Sequence, residues 1–128
     1  MRHWKFVAAL LVATTSGVAA AAPGDVNAHG FYVSAKSLLA KGMGAMFDGR
    51  RKPMMAQFRD AAASVRAENE AAKAKGAPLY CVSEAQRKKG LSPQFIVDRL
   101  GAIPEPERRA MTLKTAWRGI MVRTYLCR

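Results

Sequence analysis

Two long segments of the chain carry apolar residues three or four positions apart, and the first lies in the middle of the sequence. This spacing places the apolar side chains on one face of a helix. Pro53 suits the first helical turn and Gly76 suits the position just past the end, so we predict a central helix from about Pro53 to Lys75. Its apolar face is predicted to consist of Met54, Phe58, Ala61 or Ala62, Val65 and Ala72, interrupted by the polar Asn69.

The second segment follows Pro104 and Pro106 and predicts a last helix from about Pro106 to Leu126. Trp117 lies in the middle of its apolar face and is therefore expected to be a core anchor. The predicted inner stripe comprises Ala110, Leu113, Trp117, Ile120, Met121 and Thr124. The basic residues predicted to lie largely on other faces are Arg108, Lys114, Arg118 and Arg123.

Shorter helices are indicated by capping residues. Ser34 is a candidate N-cap for a first helix over residues 35–41, after a loop over residues 22–33. Ser83 with Gln86 reads as a capping box for a short helix that ends near Gly90. Ser92-Pro93 opens another helix, which Gly101 is expected to close.

The chain shows no sustained alternation of apolar and polar residues with hairpin turns, so strands are not expected. The 128 residues leave room for one domain. We therefore predict an all-α fold, a small helical bundle, over residues 22–128.

Residues 1–21 resemble a secretory signal peptide. A basic start with Arg2 and Lys5 precedes the apolar run 6–13 and a small-residue segment that ends at Ala22. Cleavage after Ala20 or Ala21 is expected, and the apolar run is too short to span a bilayer. The product is predicted to lie in the periplasm, without a transmembrane segment.

Cys81 and Cys127 are the two cysteines of the chain. Two cysteines in a short exported protein most often pair, which predicts one intramolecular disulfide across 46 positions. The alternatives are two free buried thiols, or an intermolecular bridge from Cys127. A CxxC motif is absent, which argues against a redox catalyst.

The chain carries 21 basic and 9 acidic residues, a net charge of +12 at neutral pH. Export argues against a nucleic-acid partner, so an acidic protein or an anionic envelope surface is the expected target of this charge. Two basic runs are the candidate partner-binding residues: Arg50, Arg51 and Lys52, and Arg87, Lys88 and Lys89. The alternative interpretation is that each run is a solvated helix end.

The sequence contains no candidate catalytic residues. His29, the one histidine after residue 21, has no second His or Cys nearby and is interpreted as a surface loop residue rather than a metal ligand. Four methionines, Met43, Met46, Met54 and Met55, are expected mainly to pack in the core. No enzyme activity, cofactor or metal site is predicted.

The C-terminal half has a layout that can be compared with known families. Tyr80-Cys81 precedes a short helix, Ile103-Pro104-Glu105-Pro106-Glu107-Arg108 forms a proline-rich turn, and Tyr125-Leu126-Cys127 ends the last helix. Over residues 78–127 this resembles the Rap/Tai family of immunity proteins of type VI secretion. The chain differs in having Val82 and Leu126 where prolines are frequent, and in lacking additional N-terminal cysteines.

The resemblance implies a small helical periplasmic protein that binds a toxic cell-wall amidase and blocks its active site without catalysing a reaction. Two other classes stay open on the sequence: a periplasmic stress chaperone with one disulfide, and a cationic protein that binds the envelope. Association of two copies into a homodimer is also left open.

Overall fold

The computed structural model describes residues 23–128, and the predicted signal peptide lies outside them. Six α-helices occur in the described part of the chain: α1 (Ala28–Ala40), α2 (Arg51–Ala74), α3 (Glu84–Lys89), α4 (Pro93–Ala102), α5 (Glu105–Arg109) and α6 (Leu113–Thr124). Two 3-10 segments, Pro23–Asp25 and Gly42–Phe47, lie on either side of α1. Over residues 23–128 there is no strand, only one isolated bridge between Asn27 and Thr112. The predicted all-α fold class is confirmed.

The central helix lies where the apolar periodicity predicted it. α2 begins two residues before Pro53 and ends at Ala74, and Gly76 follows with a positive φ of 79°. Its polar interruption has a structural use, because the Asn69 side chain accepts from the backbone N–H groups of Leu79 and Tyr80 and donates to the Tyr80 carbonyl. Asn69 therefore holds the connector that leads to Cys81.

The first helix is longer than predicted. α1 begins at Ala28, and its N-cap is Asn27, whose side chain accepts from the N–H groups of His29 and Gly30. The expected loop over residues 22–33 and the Ser34 cap were therefore wrong. Gly42, with a φ of 54°, follows the end of α1.

The predicted last helix is divided in two. α5 ends at Arg109 and α6 begins at Leu113, with Thr112 as its N-cap. The interruption lets residues 111–113 pair with the start of α1, since the Ala28 N–H donates to the Met111 carbonyl and the Leu113 N–H donates to the Val26 carbonyl. These long-range bonds join the start of α1 to the start of α6 and replace the helical bonds that a continuous last helix would have made.

The hydrophobic core is centred on α6. The Trp117 side chain is 2% exposed, and its ring meets that of Phe58 edge-on at 4.9 Å between centroids. The other largest fully buried side chains are Leu100, Leu113 and Val65, contributed by α4, α6 and α2. The prediction that Trp117 is a core anchor is confirmed.

Cys81 and Cys127 form the predicted intramolecular disulfide, with an S–S distance of 2.10 Å and Cα atoms 4.9 Å apart. The Cys81 N–H also donates to the Tyr125 carbonyl at 2.8 Å. Together these bonds fasten the connector after α2 to the end of α6. None of the helices within residues 23–128 is both long and apolar enough to cross a membrane.

Candidate functional site

The most buried charged residue is Arg108, at 6% exposure. Its Nη1 donates to the carbonyls of Leu100 and Gly101 at 3.2 Å and of Ile103 at 2.5 Å, and its guanidinium lies 4.2 Å from the Tyr32 ring centroid. A cation is favourable here because the carbonyls at a helix C-terminus carry partial negative charge. The prediction that Arg108 lies off the buried face was wrong, because α5 is a separate helix that packs against α1 and places Arg108 at the end of α4.

His29 is a partner of Arg108 rather than a surface loop residue. It lies in the first turn of α1, and its Nδ1 accepts a 3.3 Å hydrogen bond from Arg108 Nε. Its Nε2 lies 3.5 Å from the carboxylate of Glu105, whose pKa is held below its usual range by hydrogen bonds from Arg109. This cluster links α1, α4 and α5, and its polar side chains contact one another.

We expect Arg108→Met to lower the free energy of unfolding by about 1–3 kcal/mol, the range for a buried polar group that loses its partner. The Ile103 carbonyl would lose a buried donor, although removing a buried cation offsets part of the loss. The measurement is urea unfolding followed by circular dichroism.

Arg109→Met is the matched control for Arg108→Met, since Arg109 is exposed and pairs only with Glu105 four residues earlier. Such a surface pair contributes below about 1 kcal/mol. Equal losses for the two variants would contradict the structural role assigned to Arg108.

The residues of the basic run at the start of α2 differ in whether they form an ion pair. Asp48 accepts hydrogen bonds from Arg50 and from Lys41, and these bonds hold the pKa of its carboxyl far below the usual range. Arg50 is therefore engaged in fastening the loop before α2. The side chains of Arg51 and Lys52 are exposed and make no ion pair with another described residue.

The second basic run lies on an exposed arm. α3 begins with the predicted Ser83–Gln86 capping box and buries none of its residues, and the arm continues through Gly90 to Leu91. The side chains of Arg87, Lys88 and Lys89 are exposed and make no ion pair within the described chain. They lie in the last turn of α3, where a cation is favourable to the helix dipole.

A cavity of about 570 Å³ lies beside this arm, next to the disulfide. Arg87 lines it from α3, and Arg66 and Lys73 line it from α2, two cations that the sequence analysis did not single out. Tyr80 also lines it, and burial raises the pKa of its hydroxyl. Arg51 lines a different cavity, so the structure does not gather the two predicted basic runs around one cavity.

Three large apolar side chains of the 3-10 segment Gly42–Phe47 face solvent. Phe47 is 92% exposed, Met43 81% and Met46 62%, whereas Ala45 packs against the core. Of the four methionines expected mainly in the core, only Met54 is buried. The expectation was wrong for Met43 and Met46 because they lie in a short 3-10 segment rather than on a packed helix face. It was wrong for Met55 because this residue lies on an exposed side of α2, at 40% exposure.

An apolar groove of about 480 Å³ lies between α1, α2 and α4. Phe31, Leu38 and Met54 line it, together with the two arginines Arg51 and Arg59. Arg59, which the sequence analysis also missed, makes no ion pair with another described residue. Arg59 lies four residues after Met55, so the two share one face of α2. This spacing alone does not show that the face borders a groove.

The described residues offer no group of three or more His, Cys, Asp or Glu side chains placed to hold a metal ion. Two surfaces of this part of the chain are candidates for function: the basic arm with its cavity, and the apolar segment with its groove. Comparison with protein-family models, with curated proteins and with solved structures finds no match to this chain.

Proposed function

We propose that this chain is an exported, non-catalytic protein that binds and neutralises a protein partner, of the immunity type that its C-terminal half resembles. The partner class is a toxic cell-wall amidase. The protein acts in the periplasm after loss of residues 1–21, which leaves 19 of the 21 basic residues against 9 acidic ones, a net charge of +10.

The observation that carries this proposal is the exposed arm of α3. Its base is fastened by the Cys81–Cys127 disulfide and by the bond from the Cys81 N–H to the Tyr125 carbonyl. A projecting element on a fixed base loses little conformational entropy on binding. Its three unpaired cations suit an acidic rim around a partner's cleft, where opposite charge accelerates association.

The residues behind the family resemblance also support the proposal. Cys81 and Cys127 bond to each other, and Arg108 of the proline-rich turn is buried against the Ile103 carbonyl. These bonds give a structural role to the residues that carry the resemblance. They leave the arm between Ser83 and Leu91 free to carry the contacts that distinguish one partner from another.

The test uses a panel of purified type VI cell-wall amidases acting on isolated peptidoglycan. We expect this protein to inhibit one amidase of the panel at an equimolar ratio. Reversing Arg87, Lys88 and Lys89 to Glu should raise the inhibitory concentration at least about tenfold, the effect of losing about 1.4 kcal/mol of binding free energy. Association measured by surface plasmon resonance should also slow as salt rises.

The control reverses three scattered exposed cations, Lys36, Lys75 and Arg128, which gives the same change in net charge. Inhibition by this control should stay close to that of the wild type. If no amidase of the panel is inhibited, the immunity proposal is wrong. If both charge-reversed proteins lose inhibition to the same extent, the α3 arm is not the contact with the amidase.

A further inference from the structure

The 3-10 segment Gly42–Phe47 forms an apolar tip, which we define as Met43, Met46 and Phe47. Ala45 of the same segment packs against the core and fixes its inner side, while the three tip residues project outward. Large apolar side chains exposed together on one short segment indicate an interaction surface. The groove behind the segment takes only Gly42 and Ala45 from it, so the three tip residues lie outside this groove.

Positively charged residues flank the apolar tip along the chain. Residues 41–59 contain five cationic residues and a single acidic residue, Asp48. The Asp48 side chain is only 9% exposed and lies beneath Lys41 and Arg50, so the charge offered to solvent there is positive. Arg51 and Lys52 are exposed and free of ion pairs with other described residues.

We propose that this face docks on an anionic phospholipid surface, with the apolar tip inserted among the lipid chains and the flanking cations against the phosphate groups. Apolar side chains beside Lys and Arg are the combination that holds proteins in the interfacial region of a bilayer. A projecting tip needs a soft phase that opens around it, whereas a protein partner would have to provide a matching pocket. The cations match the negative charge of the lipid headgroups.

This site is separate from the α3 arm, and the two can operate in the same molecule. The arm carries unpaired cations but no cluster of exposed large apolar residues beyond Leu91 at its end. Cationic attraction alone holds a protein above a membrane, whereas insertion also requires apolar side chains. The apolar tip therefore predicts a bound state in which Phe47 leaves water.

The first experiment places a reporter in the tip. Phe47→Trp and the wild type are both expressed as the 128-residue chain. Both proteins are purified after the same processing of the N-terminal segment. The fluorescence difference between Phe47→Trp and the wild type isolates the new indole, because Trp117 is buried in both. With phosphatidylglycerol vesicles we expect this difference spectrum to shift to the blue and to be quenched by brominated acyl chains. Phosphatidylcholine vesicles should cause neither change.

The second experiment measures sedimentation with the same vesicles. Met43→Ser combined with Phe47→Ser should reduce binding to phosphatidylglycerol vesicles at least about tenfold. Arg51→Gln combined with Lys52→Gln should also reduce this binding, and the reduction should be larger at low salt than at high salt. The matched controls are Val33→Ser with Leu126→Ser, and Lys75→Gln with Arg128→Gln, which alter exposed residues outside both the apolar tip and the α3 arm. Both controls should bind as the wild type does.

Three outcomes would overturn the proposal. The first is an indole at position 47 that neither shifts nor is quenched. The second is vesicle binding that the tip variant leaves intact, which would assign the binding to general cationic adsorption or to another segment. The third is an absence of vesicle binding together with loss of amidase inhibition in the tip variant, which would make this face a protein contact.

Discussion

Replacing Trp117 with alanine should lower the free energy of unfolding by about 3–5 kcal/mol, the range for removing a large aromatic side chain from a packed core. Trp117 is 2% exposed and meets Phe58 edge-on, and Phe58 stacks in turn towards Phe31 at 6.5 Å between centroids. Truncation therefore opens a cavity where α6, α2 and α1 meet. Urea unfolding followed by circular dichroism measures the loss.

Two observations check this assignment. Leu126→Ala removes an exposed apolar side chain from the same end of the chain and should change stability by less than about 0.5 kcal/mol. The native fluorescence of Trp117, the one tryptophan after residue 21, should have a maximum well to the blue of free tryptophan. A water-like maximum, or equal losses for the two variants, would contradict the burial of Trp117.

Removal of the disulfide should lower stability by a similar amount. For a closed loop of this length, with Cys81 and Cys127 separated by 46 in the sequence, the chain-entropy model predicts about 4 kcal/mol. Total stability of such a domain is about 5–15 kcal/mol, so Cys81→Ser should lower the melting temperature substantially. The loss arises because the unfolded chain gains freedom when the cross-link is absent.

The double variant Cys81→Ser with Cys127→Ser is the control for this prediction. It should be about as stable as Cys81→Ser alone, because both proteins lack the same cross-link. The wild type in reductant should approach both variants, with thiol titration rising from zero to two groups. Two titratable thiols in the oxidised native protein would show that the bond is absent.

Local signals in the sequence predicted a large part of the fold. The Ser83–Gln86 capping box and the Ser92 cap appear in the structure as expected, because each involves residues only three positions apart. α2 was predicted from its apolar periodicity, because the amphipathic pattern of a 24-residue helix can be recognised without knowing which elements pack against it. The disulfide followed from the cysteine count and the expected compartment.

The two largest errors in helix boundaries have one cause. Residues 26–28 pair with residues 111–113, and this pairing starts α1 early and interrupts the predicted last helix. The groups that bond lie more than 80 positions apart in the sequence. Capping and periodicity describe interactions within a few residues, so they cannot register such a pairing.

The same distinction between local and long-range interactions applies to the residues of the candidate surfaces. The sequence by itself determined the all-α class, the cross-link, the central helix and the basic runs, because these depend on composition and on neighbouring residues. Only the tertiary structure decided that Arg108 is buried, that Asp48 engages Arg50, and that Phe47 is exposed. Burial and ion pairing depend on which distant elements pack against a residue, and the same local sequence can be covered or left open.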